Sequence, residues 1–176
     1  MSSTDPAPRP SDSDSQPQSG GAIASDIGQP ERLLPPAAMP LLALNPTGQA
    51  LTIAQVQQIA PAALAYIGDA VYELHIRARF LWPPLRSRDY HRQVVGHVNA
   101  TYQAQVADCW MAHLTEAERD WWRRGRNAAV RRSNQVSHVT YQAASGLETL
   151  VGYLYLTNPH RLQELFAQLP PAATTT

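Results

Sequence analysis

The 176-residue chain has one cysteine, Cys109, and no lysine. A single cysteine excludes an intrachain disulfide and a zinc site built on thiolates, and it fits a reducing, cytoplasmic setting. No stretch approaches the roughly 18 to 20 uninterrupted apolar residues of a membrane span, and the N-terminus has neither a basic start nor an apolar run. The protein is therefore expected to be soluble, free of membrane and not exported. Net charge is absent too, because 14 basic residues balance 14 acidic ones. That zero hides an asymmetry. Residues 1–35 hold Asp5, Asp12, Asp14, Asp26 and Glu31 against Arg9 and Arg32, which leaves this segment at −3 and the remainder at +3. Every basic side chain is arginine, whose guanidinium fork grips two phosphate oxygens at once.

What is present begins with a tail. Pro, Ser, Asp, Gln and Gly dominate Met1 to Gln29, a composition unable to bury enough apolar surface to offset the entropy of ordering. Leu33, Leu34, Met39, Leu41, Leu42 and Leu44 are interrupted by Pro35, Pro36, Pro40 and Pro46, so this stretch is an extended strap at most. The expected organisation is a disordered tail and linker over 1–50, one all-α domain over 51–169 and a short disordered tail over 170–176.

From Leu51 the pattern is helical, and breakers stand only where helices should end. Thr52 with Gln55 forms a capping box for a helix over Ile53–Ile59, and Pro61 opens the next, which runs to about Phe80 before Pro83-Pro84. A long third helix is predicted from Ser87 to about His113, with Val94, Val95, Val98, Tyr102, Val106, Cys109 and Trp110 on one face. Thr115 and Glu118 box a fourth that ends near Gly125. The fifth covers roughly Val139 to Leu156, and Asn158-Pro159 starts a sixth through Leu169. No run alternates with period two, so about six helices and no sheet are expected.

Two of these helices carry one acid each amid apolar neighbours: Asp69 within Ala62–Tyr72 and Glu148 within Ala143–Leu156. A carboxylate in such surroundings is costly unless something positive meets it, and a shared cation satisfies both acids together. A buried arginine satisfies such an acid equally well, so residue type alone leaves both explanations open. Tyr66, Asp69 and Glu73 fall on one stripe of the second helix, and Leu64, Ile67, Val71, Leu74 and Ala78 on the opposite one. Glu73 stands four residues before Arg77, where an ion pair is its simplest role. Gly68 beside Asp69, and Gly146 and Gly152 around Glu148, lack a Cβ and let two helices cross closely.

The segment Arg119 to Arg132 holds six arginines and one aspartate, a density suited to polyphosphate. Arg123, Arg124, Arg126, Arg131 and Arg132 are the candidate nucleic-acid contacts, the plain alternative being a solvated basic helix end. Asn127 and Ser133 add neutral donors for phosphate or ribose hydroxyls. Trp121 and Trp122, about 100° apart on their helix, are expected to pack in the core and at its rim.

Three segments resemble, in order and spacing, the Mini-ribonuclease III family: Tyr66-Ile-Gly-Asp69-Ala-Val-Tyr-Glu73, then Arg124-Gly-Arg126-Asn127-Ala, then Tyr141 followed by Gly146-Leu-Glu148-Thr-Leu-Val-Gly152. The resemblance spans about Leu51 to Leu169. It implies a ribonuclease III-like endonuclease domain without a double-stranded RNA-binding domain, active as a homodimer. It also implies an Mg²⁺-dependent endoribonuclease, with Mn²⁺ as a substitute, that leaves 5′-phosphate and 3′-hydroxyl ends. Asp69 corresponds to the catalytic aspartate and Glu148 to the metal-binding glutamate, with Glu73 as a further metal-ligand candidate. Where the larger ribonuclease III enzymes carry more acids, this chain has Ala62, Ala65 and Ser145, so its metal shell is thinner and the ion count is left open. The implied substrate is double-stranded RNA, in particular ribosomal RNA precursor at the 23S ends, with ribosomal proteins or assembling ribosomes as partners. The alternative on the same fold is a non-catalytic RNA-binding or ribosome-assembly factor. A helical interaction module, with Arg77 or Arg79 folded onto the acids, is the other.

Overall fold

A computed structural model describes Met1, residues 51–130 and residues 136–170. Most of the expected tail and linker, and residues 171–176, lie outside the described residues, as do the candidate RNA contacts Arg131 and Arg132.

Among the described residues there are seven helices and no strand: α1 (Ile53–Gln57), α2 (Pro61–Arg79), α3 (Ser87–Val98), α4 (Ala100–Trp110), α5 (Glu116–Ala128), α6 (His138–Thr157) and α7 (Pro159–Phe166). Their starts follow the capping chemistry of the sequence. Thr52 and Thr115 each accept from the backbone N–H three residues on, while Gln55 and Glu118 reach back to the cap backbone, so both capping boxes are complete. Asn158 accepts from the Arg161 N–H and Pro159 follows as the first helical residue.

The single long helix expected over 87–113 is instead two. Asn99 breaks it: its backbone is extended, its side-chain oxygen accepts from the Tyr102 N–H, and its amide donates to the Val95 and Gly96 carbonyls. One asparagine thus caps the end of α3 and the start of α4. Gly125 was expected to end its helix, yet α5 continues to Ala128. The glycine serves packing instead, because a Cβ there would overlap the Thr149 side chain of α6.

The core lies around α6, which buries residues on every side and packs against α2, α4, α5 and α7. Trp110, Tyr72, Leu64, Ile76, Leu147, Leu150, Leu162 and Leu165 are its largest fully buried side chains. Trp121 is buried and stacks on Tyr153, and Trp122 is half-buried, as their spacing suggests. The apolar stripe opposite Asp69 is only partly core. Leu64, Gly68, Val71, Tyr72 and Ile76 face inward, whereas Ile67 and Leu74 are 43% and 62% exposed. Periodicity identifies an apolar stripe but does not say which of two stripes finds the core.

One buried ion pair shows how this fold accommodates a structural acid. Glu118 is 6% exposed, and Arg161 meets its carboxylate through Nε at 2.9 Å and Nη2 at 3.2 Å, while the Thr115 N–H donates at 2.8 Å. Burial pushes the Glu118 carboxyl up, but Arg161 and Thr115 outweigh it and hold it below the usual range.

Candidate active site

Asp69 and Glu148 meet where α2 crosses α6. The crossing is close because glycines stand at it: a Cβ on Gly68 would run into the Glu148 carbonyl oxygen, and one on Gly152 into that of Leu64. The two backbones thus touch at the level of both acids, as the glycine pattern suggested. Gly146 takes no part in that contact. It faces the Trp122 ring of α5 instead.

Neither acid has what Glu118 has. Among the described residues no cation pairs with Asp69 or Glu148; Arg77 pairs with Glu73, and Arg79 donates to the Pro170 carbonyl at 2.7 Å. The two carboxylates are close enough to repel each other, and Gln103 Nε2 donates to Asp69 Oδ1 at 3.4 Å. Burial, followed by repulsion from Asp69, pushes Glu148 up to about 8, with the Gln103 hydrogen bond acting against both. Asp69 is more open to solvent and is also raised, first by burial, against the Gln103 hydrogen bond and with a contribution from Glu73. Two mutually repelling carboxylates with no protein cation beside them are the residues here that could hold an external one.

Both acids line an open cleft of about 210 Å³. Ala62, Ala65 and Ser145, the positions where further acids are absent, also line it, so the thin acidic set is a property of the cleft itself. No group of three or more His, Cys, Asp or Glu residues suited to a metal occurs among the described residues, which leaves Asp69 and Glu148 as a pair. Glu73, one turn along α2, lies outside the cleft lining and is held by Arg77.

Basic residues approach the cleft along α5, whose end supplies Ala128, Ala129 and Val130 to its wall. Arg123 pairs with Glu116 at 2.8 Å and Arg124 with Asp120 at 2.9 Å. The Arg124 guanidinium also lies over the Trp121 ring, and that of Arg126 over Trp122. Asn127 is exposed. Exposed ion pairs of this kind are weak and hold these guanidinium groups only loosely.

Gln103 was missed by the sequence reading. A signal for it exists: it shares the buried stripe of α4 with Val106, Ala107 and Trp110, at spacings of three, four and seven, and is itself 2% exposed. A glutamine on a core stripe needs a polar partner.

The ribonuclease III domain family matches residues 62–159, the span that contains both acids. Mini-ribonuclease 3 of a Synechocystis species is 53% identical over 120 residues, which cover 67% of this chain and 84% of that protein. Mini-ribonuclease 3 of Thermosynechococcus vestitus is 56% identical over 112 residues, 64% of this chain and 74% of the relative. Protein FN1578 of Fusobacterium nucleatum, known from a crystal structure, has a similar fold, with a TM-score of 0.59 and 24% identity over 63% of this chain and 93% of that one.

Proposed function

This chain belongs to the Mini-ribonuclease 3 family, built on the ribonuclease III domain, and is an endoribonuclease; from that premise we propose that it cuts double-stranded RNA in an Mg²⁺-dependent reaction at the cleft between α2 and α6. The observation that carries the proposal is the unpaired couple of Asp69 and Glu148, set in an open cleft and left without the arginine that Glu118 receives.

The donor set suits magnesium, which prefers oxygen ligands and keeps several waters, so two carboxylates on an open cleft leave room for water and a phosphate oxygen. Asp69 and Glu148 would hold the ion. When bound, it would supply a water of lowered pKa and neutralise charge on the phosphoryl oxygens. The chain's own residues do the rest. Gln103 holds the Asp69 carboxylate, and the apolar walls from Ala62, Ala65 and Ala128 offer no competing ligand. Arg124, Arg126 and Asn127, on the α5 turn that leads into the cleft wall, would engage the RNA backbone, through phosphates and 2′-hydroxyls rather than base edges.

Products with 5′-phosphate and 3′-hydroxyl ends, and paired cuts on the two strands, follow from the family resemblance and call for two sites. The exposed apolar stripe of Ala63, Ile67, Ala70 and Leu74 along α2 supports a homodimer, because apolar residues aligned in this way gain by mutual burial. The proposed physiological role is maturation of 23S ribosomal RNA precursor ends, free or on assembling ribosomes. The test is incubation of a perfect RNA duplex with the purified chain in Mg²⁺, with EDTA as control. Metal-dependent scission to short duplexes is expected. An intact duplex under all conditions would leave only the non-catalytic binding function.

A further inference from the structure

We propose that Gln103 is a positioning residue for the acid pair, its buried side-chain amide anchoring the Asp69 carboxylate from a third helix and fixing its place beside Glu148 for a divalent cation. The inference rests on the metal reading of the site and goes beyond it, because it assigns a role to a neutral residue that neither ligates nor contacts substrate.

Three observations carry it. Gln103 sits on α4, which contributes neither acid, so a third helix reaches the Asp69 carboxylate of α2. It is 2% exposed and stands on a stripe whose other members, Val106, Ala107 and Trp110, are apolar core, where a polar side chain needs a fixed partner. That partner is an acid of the pair: Nε2 donates to Asp69 Oδ1 at 3.4 Å. A carboxylate at 103 would add repulsion, and an aliphatic side chain would leave the two charges free to swing apart. Asp69 is on the solvent side of the pair and has no other anchor in the cleft, since Glu73 only repels it. Groups that orient metal ligands in this way typically change metal affinity by about 10- to 100-fold when removed.

The test uses the full chain and its Gln103→Leu variant, near in volume and lacking the donor. Mn²⁺ binding is followed by electron paramagnetic resonance of the free ion, and cleavage of an RNA duplex is measured against Mg²⁺ concentration. The expected result is a Mn²⁺ dissociation constant raised about tenfold and a Mg²⁺ half-saturation raised in step, while kcat at saturating metal falls less. Circular dichroism should show unchanged helix content; if Gln103→Leu does not fold, Gln103→Met, unbranched and equally donor-free, is read in the same way. Equal Mn²⁺ affinity in wild type and variant would overturn the positioning role and leave the metal reading intact. Absence of Mn²⁺ binding to the wild type would overturn both.

Discussion

Glu148→Gln should stabilise the metal-free protein at pH 8 and leave its stability nearly unchanged at pH 5. An acid whose folded pKa lies above its unfolded value binds more protons in the folded state between the two, so stability falls as pH rises through that window and the full penalty remains above it. For Glu148 the window runs from the ordinary 4.5 to about 8. At about 1.4 kcal/mol per pH unit, this gap sets a ceiling of about 5 kcal/mol. The cleft is open and Asp69 titrates with its neighbour, so a gain of about 2 kcal/mol at pH 8 is the realistic expectation. At pH 5 the wild-type carboxyl is already protonated, and a neutral amide replaces a neutral acid. Urea unfolding in EDTA, followed by circular dichroism at both pH values, reads the effect. A variant less stable than wild type at pH 8 would mean that a cation neutralises Glu148, and the idea of an unpaired acid couple would fall.

Further perturbations follow from the same geometry. Mg²⁺ should raise the wild-type melting temperature at pH 8 but leave that of Asp69→Asn or Glu148→Gln unmoved, because each variant removes half of the ligand pair; equal shifts in all three would place the ion elsewhere. Gly68→Ala should cost about 3 kcal/mol in thermal unfolding, since its methyl meets the Glu148 carbonyl and forces α2 from α6; a loss under 0.5 kcal/mol would mean that the crossing is loose. Glu118 behaves oppositely to Glu148. Its lowered pKa supports folding above the ordinary carboxylate range and is lost on acidification, so Glu118→Gln should cost about 2 kcal/mol at pH 7 and flatten the acid limb of the stability curve. Arg124→Ala with Arg126→Ala should weaken duplex binding and shallow its salt dependence, and an unchanged slope would move the RNA surface away from α5.

The sequence exposed the fold wherever local chemistry decides it. Thr52, Thr115 and Asn158 mark helix starts because a side-chain oxygen is the cheapest partner for an orphan N–H, and Gly68 with Gly152 marks the crossing because only a missing Cβ permits it. Asn99 was hidden because a capping asparagine within a periodic apolar pattern looks like a residue on the polar face. The outward turn of Ile67 and Leu74 was hidden for a different reason. Two apolar stripes on one helix differ only in what packs against them, and that is decided by α6 and not by α2. At the site, the two acids were legible as anomalies of burial. Gln103 was not, since a lone glutamine in a helix is unremarkable until the stripe it shares with Val106, Ala107 and Trp110 is known to be core.

Cleavage of a perfect RNA duplex in Mg²⁺ by wild type and Asp69→Asn, side by side, tests the central claim most directly. Asp69→Asn should retain the wild-type helix content and duplex affinity while losing about 10²- to 10³-fold in rate, the scale of one removed electrostatic group. Undiminished cleavage by Asp69→Asn would contradict the assignment of the α2–α6 acid pair as the catalytic centre.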